Sequence, residues 1–184
     1  MKKTTILLFF FVLPYFCSAQ WLTGLTTKWS DSFVEWALFA ETDDEEEIEG
    51  ELQLRWLSQN DWTEWTYEIG DETGTIKQTF KNRTGQWDIR GFGETITART
   101  CWNNDFSEWR VTDNTTAFIF KSRWRNNINE WYLNGETHGN FAIRTARDND
   151  PRDWQIYDDL DEEISLPMKM AMVFIAIYHS SPKQ

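Results

Sequence analysis

The sequence predicts a mainly β fold: a twelve-stranded antiparallel barrel of six hairpins, closed around a hydrophobic C-terminal helix. Two patterns carry this expectation, a tryptophan repeat through the middle of the chain and one long apolar segment near its end. Trp36, Trp65, Trp87, Trp109, Trp131 and Trp154 follow one another at spacings of 29, 22, 22, 22 and 23 residues. An acid or amide precedes each of them, at Glu35, Glu64, Gln86, Glu108, Glu130 and Asp153, and a base stands ten residues before the last five, at Arg55, Lys77, Arg99, Lys121 and Arg144. Self-similarity at such a period marks repeated supersecondary units.

Each unit reads as a β-hairpin. Apolar residues lie eleven positions before the tryptophan (Leu54, Ile76, Ala98, Phe120, Ile143) and two after it (Tyr67, Ile89, Val111, Leu133, Ile156), so both arms carry the alternation that places every second side chain on one face. Turn-forming runs such as Asn103-Asn104-Asp105, Arg125-Asn126-Asn127 and Asp148-Asn149-Asp150-Pro151 separate the arms. Folding each unit about its centre sets the apolar residue against tryptophan and the base against the acid. This register opposes Arg99 to Glu108, Lys121 to Glu130 and Arg144 to Asp153, and leaves Lys77 opposite Gln86. The charged face is then a solvated exterior whose pairs contribute roughly 0–1 kcal/mol each. Twelve strands are more than one open sheet usually holds, so the sheet closes into a barrel or divides into two packed sheets.

The tail argues for the barrel. Residues 166–178 read Leu-Pro-Met-Lys-Met-Ala-Met-Val-Phe-Ile-Ala-Ile-Tyr, with Ser165 as an N-cap, Pro167 in the first turn and the acidic run Asp158 to Glu163 before it. As a strand this segment would span about 43 Å and as a helix about 20 Å, and the helix fits a domain of this size. It is shorter than the roughly 20 residues that cross a bilayer, and a helix apolar on all sides must be enclosed by protein. A thirteenth strand is the alternative, since Val173, Ile175 and Ile177 are β-branched. The expected organisation is a signal peptide at 1–19, the barrel at 20–163 with an acidic insert at 42–51, the core helix at 164–179 and a tail at 180–184.

Lys2 and Lys3 before the apolar run from Ile6 to Phe16, with Ser18-Ala19 as a cleavage point, predict export to the periplasm or the exterior. Lipidation at Cys17 is the alternative, although Phe16 is a poor residue before a lipidated cysteine. Cleavage removes two lysines and takes the net charge from -12 to -14, which excludes nucleic acid as a partner because phosphate binding requires basic surface. Cys101 is then the one remaining cysteine, a small semi-buried apolar residue or an intermolecular bridge.

In its strand count and in Leu166-Pro167-Met168-Lys169-Met170-Ala171 followed by Val173-Phe174-Ile175-Ala176-Ile177-Tyr178, the chain resembles the tubby C-terminal-like superfamily, which includes phospholipid scramblases and LURP-one-related proteins. The resemblance implies a barrel around a core helix and an anionic lipid headgroup on outer strand bases. The chain lacks the cysteine-rich and proline-rich segments of the eukaryotic relatives, so their cell-surface role does not carry over.

No catalytic constellation is legible, and no cofactor or metal is expected. His138, in a Glu-Thr-His-Gly turn, and His179, after the helix, supply neither a Cys/His pair nor a histidine-rich zinc site. Gly91-Phe92-Gly93 is a turn, and Asn82-Arg83-Thr84 and Asn114-Thr115-Thr116 match glycosylation sequons at predicted turns. The acidic runs could attract calcium but lack the EF-hand spacing. Residues 75–91 are the local exception to the acidity: Lys77, Lys81, Arg83 and Arg90 stand against Asp88 and form the candidate anion site. Trp62, off the repeat's inner face, is the candidate for carbohydrate, and protein binding by the exterior is a third possibility. The expected function is therefore a non-catalytic binding module for an anionic lipid or other envelope ligand. Deleting residues 164–184 should leave the inner tryptophans without a packing partner, so expression of that truncation should yield insoluble barrel, whereas a soluble product would favour two packed sheets.

Overall fold

The computed structural model describes residues 20–183 apart from 43, 60, 81, 82, 126 and 134–136. Residues 1–19, where a signal peptide is expected, with Cys17, the candidate Lys81 and the Asn82 sequon lie outside the described residues. The twelve strands are β1 (Gln20–Thr27), β2 (Glu35–Thr42), β3 (Glu47–Leu54), β4 (Glu64–Ile69), β5 (Glu72–Gln78), β6 (Gln86–Gly91), β7 (Glu94–Trp102), β8 (Asp105–Thr112), β9 (Ala117–Trp124), β10 (Asn127–Leu133), β11 (Gly139–Thr145) and β12 (Asp153–Leu160). They pair in chain order, and β12 returns to β1 to close an antiparallel barrel. The helix α1 (Leu166–Ser180) is buried from Leu166 to Tyr178.

All six repeat tryptophans point inward and are fully buried. Phe174 packs edge-on against Trp65 and Trp87 at 5.7 and 4.7 Å, and Tyr178 against Trp87 at 4.7 Å. A buried indole N–H needs a partner. Each repeat supplies one in the same way, because the indole donates to the carbonyl three residues earlier. Trp36 donates to Phe33, Trp65 to Trp62, Trp87 to Thr84, Trp109 to Phe106, Trp131 to Ile128 and Trp154 to Pro151, all within 2.8–3.1 Å.

That device corrects the expected register. Leu54 faces Trp65 as the pattern requires, but Gln78 faces Trp87, Thr100 faces Trp109, Ser122 faces Trp131 and Thr145 faces Trp154. The two-residue offset is visible where it arises: Trp102 faces Asp105 at the tip of the β7–β8 hairpin, and the ladder then shifts before Thr100 meets Trp109. The β9–β10 hairpin does the same between Asn127 and Trp131. In both, the backbone before the tryptophan arches to bring the accepting carbonyl to the indole, and residues leave the ladder. A shift of two keeps every side chain on its face, so the barrel survives the correction.

The charge ladder is rewired. Arg99 faces Arg110, Lys121 faces Tyr132 and Arg144 faces Gln155, in place of the expected acids. Acid meets base between successive hairpins instead, as Glu64 with Lys77, Glu108 with Lys121 and Glu130 with Arg144. Lys77 also faces Asp88, so it does not lack a partner, and among the repeat bases Arg99, between Gln86 and Arg110, is opposed by no acid. The stretch 42–51 is also corrected: β2 runs to Thr42, Glu41 pairs with Glu47, and β3 takes up Glu47 to Leu54, so most of the acidic stretch belongs to the wall.

A buried ion pair fixes the helix to the seam where the barrel closes. Lys169 Nζ lies 2.9 Å from Asp158 Oδ2 and donates to the Gln20 carbonyl at 2.9 Å. The same carboxylate oxygen accepts the Leu22 amide at 3.0 Å. It replaces a ladder bond where β1 bulges, between Leu22 and Gly24. Burial outweighs Lys169 and pushes the Asp158 carboxyl above its ordinary range. Removing one member of a buried pair strands the other, which costs about 3–5 kcal/mol. Lys169→Met should therefore lower stability by about that amount in urea titration. Adding Asp158→Leu should recover most of it, short of the roughly 1–3 kcal/mol for the stranded Leu22 amide. Equal losses in the single and double variants would refute the pairing.

Candidate functional site

Neighbouring antiparallel strands alternate in direction, so their connections alternate between the two ends of the barrel. The hairpin tips at 28–34, 55–63, 79–85, 103–104, 125–126 and 146–152 gather at the end where α1 finishes, and Ser180 there donates to the Ile128 carbonyl at 2.9 Å. The connections at 43–46, 70–71, 92–93, 113–116, 134–138 and 161–165 gather at the other end and contain no lysine or arginine.

The hairpin-tip end carries an aromatic rim. Of the nine strongly exposed large apolar side chains among the described residues, seven lie there: Trp29, Trp56, Leu57, Phe80, Trp102, Phe106 and Trp124. Trp29, Trp102 and Trp124 each exceed half exposure, at 59, 63 and 61%. Four of the seven, Trp29, Phe80, Trp102 and Trp124, stand seven residues before a core tryptophan, a second repeat within the first. Sequence reasoning passed over this signal because attention to the core ranks a tryptophan as interior by default.

The rim rings are held in place. The indoles of Trp29, Trp56 and Trp102 donate to Glu35, Glu64 and Glu108, the acids that precede the core tryptophans, at 2.9, 3.1 and 3.4 Å. The bond from Trp56, with Lys77 and Arg55 beside it, outweighs partial burial and holds the Glu64 carboxyl below its ordinary range. Arginines stand around the rings. Arg55 lies over Trp56 at 5.2 Å and Arg83 over Phe80 at 5.8 Å. Arg125 bonds Asp105, whose pKa falls to about 2 chiefly through its Ser107 and Arg125 hydrogen bonds. Arg147 and Arg152 occupy the sixth tip.

The three anion-site candidates among the described residues, Lys77, Arg83 and Arg90, are not gathered at one place. Arg83 is exposed at the rim, Lys77 lies on the outer wall just below it between Glu64 and Asp88, and Arg90 lies toward the other end of the barrel and lines a separate groove. That groove, of about 920 Å³, is lined by Glu49, Glu51, Glu68 and Glu94 as well as Lys28 and Arg90. Gly74 and Gly91 also line it, and because a Cβ at either would fall 2.2–2.3 Å from the Tyr67 ring or hydroxyl, glycine is what lets β5 and β6 pack directly on Tyr67. Trp62 is half-buried and packs edge-on against Trp65 at 5.5 Å and Tyr178 at 6.4 Å, as part of the floor beneath the rim.

The floor also holds His179, which stacks on Phe106 at 4.9 Å and lies against Trp109 at 5.1 Å. The Cys101 thiol is free and half-buried, and burial with Glu108 nearby pushes it up. The outer wall presents residues such as Glu68, Lys77, Arg99 and Arg110, the reverse of the apolar exterior of a bilayer-spanning barrel. No described helix is long and apolar enough to cross a membrane. No family model, curated protein or solved structure matches the chain.

Burial pushes His179 down to about 3, from an ordinary value near 6.5, with Lys183 adding to the effect. The unfolded chain therefore takes up a proton below pH 6.5 that the folded protein refuses, and stability present above pH 6.5 is lost as pH falls toward 3. The melting temperature of the wild type should fall more steeply between pH 6.5 and 4 than that of His179→Phe. Parallel curves would show that His179 is protonated in the folded state.

Proposed function

We propose that the protein is a non-catalytic binding module that docks an anionic bilayer surface through its aromatic rim, as an exported tubby-like barrel. The observation that carries this reading is the clustering of seven exposed apolar side chains among arginines at one end. Indole rings favour the headgroup level of a membrane, and bases near that surface contribute about 1 kcal/mol each. The overall negative charge opposes such docking only if it is near the lipid. The acid-rich connections lie at the far end of the barrel, and an eight-residue strand spans about 27 Å. That separation is roughly three Debye lengths at physiological ionic strength. Several rim bases are already paired, Arg55 with Glu64, Arg123 with Glu130, Arg125 with Asp105 and Arg152 with Asp150. The rings therefore supply most of the affinity and the bases a preference for anionic lipid.

A second reading, carbohydrate, is favoured by the small polar pockets beside the rim rings. Trp124 borders one of about 490 Å³ with Glu130, Arg144 and Gln155, and Trp102 one of about 210 Å³ with Glu108 and Lys121. An aromatic wall with acid, amide and base groups is the chemistry of a sugar site.

Sedimentation with vesicles of phosphatidylcholine and phosphatidylglycerol separates the two. The bilayer reading expects binding with a blue shift of tryptophan emission, weakened by salt and lost in the triple variant Trp29→Ala, Trp102→Ala, Trp124→Ala. Arg90→Gln should leave it unchanged, because Arg90 lies toward the other end of the barrel and lines a separate groove. Absence of vesicle binding at low salt, with salt-insensitive glycan-array signals that the triple variant loses, would transfer the rim to carbohydrate.

A further inference from the structure

We infer that His138, Asp161 and Glu163 form a divalent metal site of the zinc class, at the end of the barrel opposite the aromatic rim. His138 lies in the connection between β10 and β11, and the two carboxylates lie in the segment between β12 and α1. Their spacing in sequence hides the set from any motif, and the fold brings it together.

The backbone holds the arrangement. Gly139, with φ +82°, follows His138 and packs so closely on β12 that a Cβ there would fall 2.0 Å from the Asp159 carbonyl. The Asp161 amide donates to the His138 carbonyl at 3.2 Å, which ties the two segments side by side. The Ile164 amide then donates to the Asp161 carbonyl at 2.9 Å, and the buried Ile164 side chain anchors that turn. Asp161 and Glu163 therefore leave a fixed turn on the side of the imidazole, and the edge of Phe118 confines the ring at 5.9 Å.

Two of the three ligand-to-ligand distances match metal geometry. His138 Nδ1 is 3.3 Å from Asp161 Oδ2 and 3.6 Å from Glu163 Oε1, and all three ligand atoms lie within 4.8 Å of one another. A tetrahedral centre with bonds of about 2.0–2.2 Å has ligand-to-ligand edges of roughly 3.3–3.6 Å. His138 Nδ1 is itself buried, yet it makes no hydrogen bond among the described residues although two carboxylates face it. A nitrogen placed to share a cation with two oxygens has this arrangement, because each ligand then points at the ion rather than at its neighbour. The imidazole selects a borderline metal such as zinc over calcium or magnesium, which prefer oxygen alone. Three protein ligands leave a fourth position for water or for a group from a partner. This site is independent of the rim, and its outcome does not bear on the bilayer reading.

The competing account is an ion pair of a protonated imidazole with the two acids, and metal titration distinguishes them. Untagged, chelator-treated Cys101→Ser protein is titrated with zinc chloride by calorimetry at pH 7.5, which removes the thiol as a rival ligand. One saturable site is expected, weakened at least about tenfold by His138→Gln and by Glu163→Gln, with both variants retaining the parent melting temperature. In nitrogen-detected spectra zinc should shift His138 Nδ1 and leave His179 unmoved. Absence of saturable binding overturns the site, as does binding unchanged in both variants or an unmoved His138 resonance. Calcium binding as tight as zinc binding, and indifferent to His138→Gln, would show an acidic surface without the assigned centre and would likewise overturn it.

Discussion

Filling the interior is the constraint on which the rest of the structure depends. About eight strands make a barrel whose wall side chains can fill it, and twelve make one they cannot. The chain meets this with two devices that need each other, six large indoles turned inward and a helix buried all round against them. Neither is stable alone: a helix apolar on all faces has no place in water, and inward tryptophans without a central partner would surround a void. The indole N–H groups would be an additional cost in so dry an interior. The carbonyl three residues upstream absorbs it locally in every repeat, so no hydrogen bond has to cross the core.

The outline of the fold was legible because its signals are side-chain signals. Alternating apolar residues around each tryptophan define the strands, and the run from Leu166 to Tyr178 can be satisfied only by enclosure. The register was not legible, since the arch before Trp109 and Trp131 is a backbone event that leaves the alternation intact. A shift of two residues is silent in the hydrophobic pattern and decisive for charge. It sets Lys77, already opposite Glu64, against Asp88 as well and transfers the unmatched position of the repeat to Arg99, so the partnerless base expected at Lys77 is not there. The rim was written in the sequence as a second tryptophan period, while His138, Asp161 and Glu163 share no spacing and depend on the closure that sets β11 beside β12.

Closure also explains why the core contains a salt bridge. The first and last strands must meet without a connecting loop, and their ladder runs from Gly24↔Gln155 to Thr26↔Asp153, with the Thr27 amide donating to the Arg152 carbonyl just beyond it. Beyond the bulge the Asp158 carboxylate takes over, holding β1 through the Leu22 amide and α1 through Lys169. A hydrophobic replacement could fill the same space, but it could not specify which turn of the helix sits against the seam. A buried polar group retained for registry is the best-attested use of such pairs. Here it fixes how deeply the helix enters, and hence which rings Phe174 and Tyr178 meet.

The arch that satisfies the core also gives the rim its rigidity. Glu35, Glu64 and Glu108 each precede a buried tryptophan whose ring and N–H are both held, so the backbone that carries those carboxylates is anchored to the core. They in turn hold the indoles of Trp29, Trp56 and Trp102 on the outside. Exposed aromatic side chains on loops would ordinarily lose rotamer freedom when they dock, which subtracts about 0.5–1.5 kcal/mol for each side chain immobilised. Rings already tied to the wall have spent that entropy in folding. The barrel therefore presents its apolar end as a surface tied to the wall at Trp29, Trp56 and Trp102, and the same repeats that close the core set the spacing of its rings.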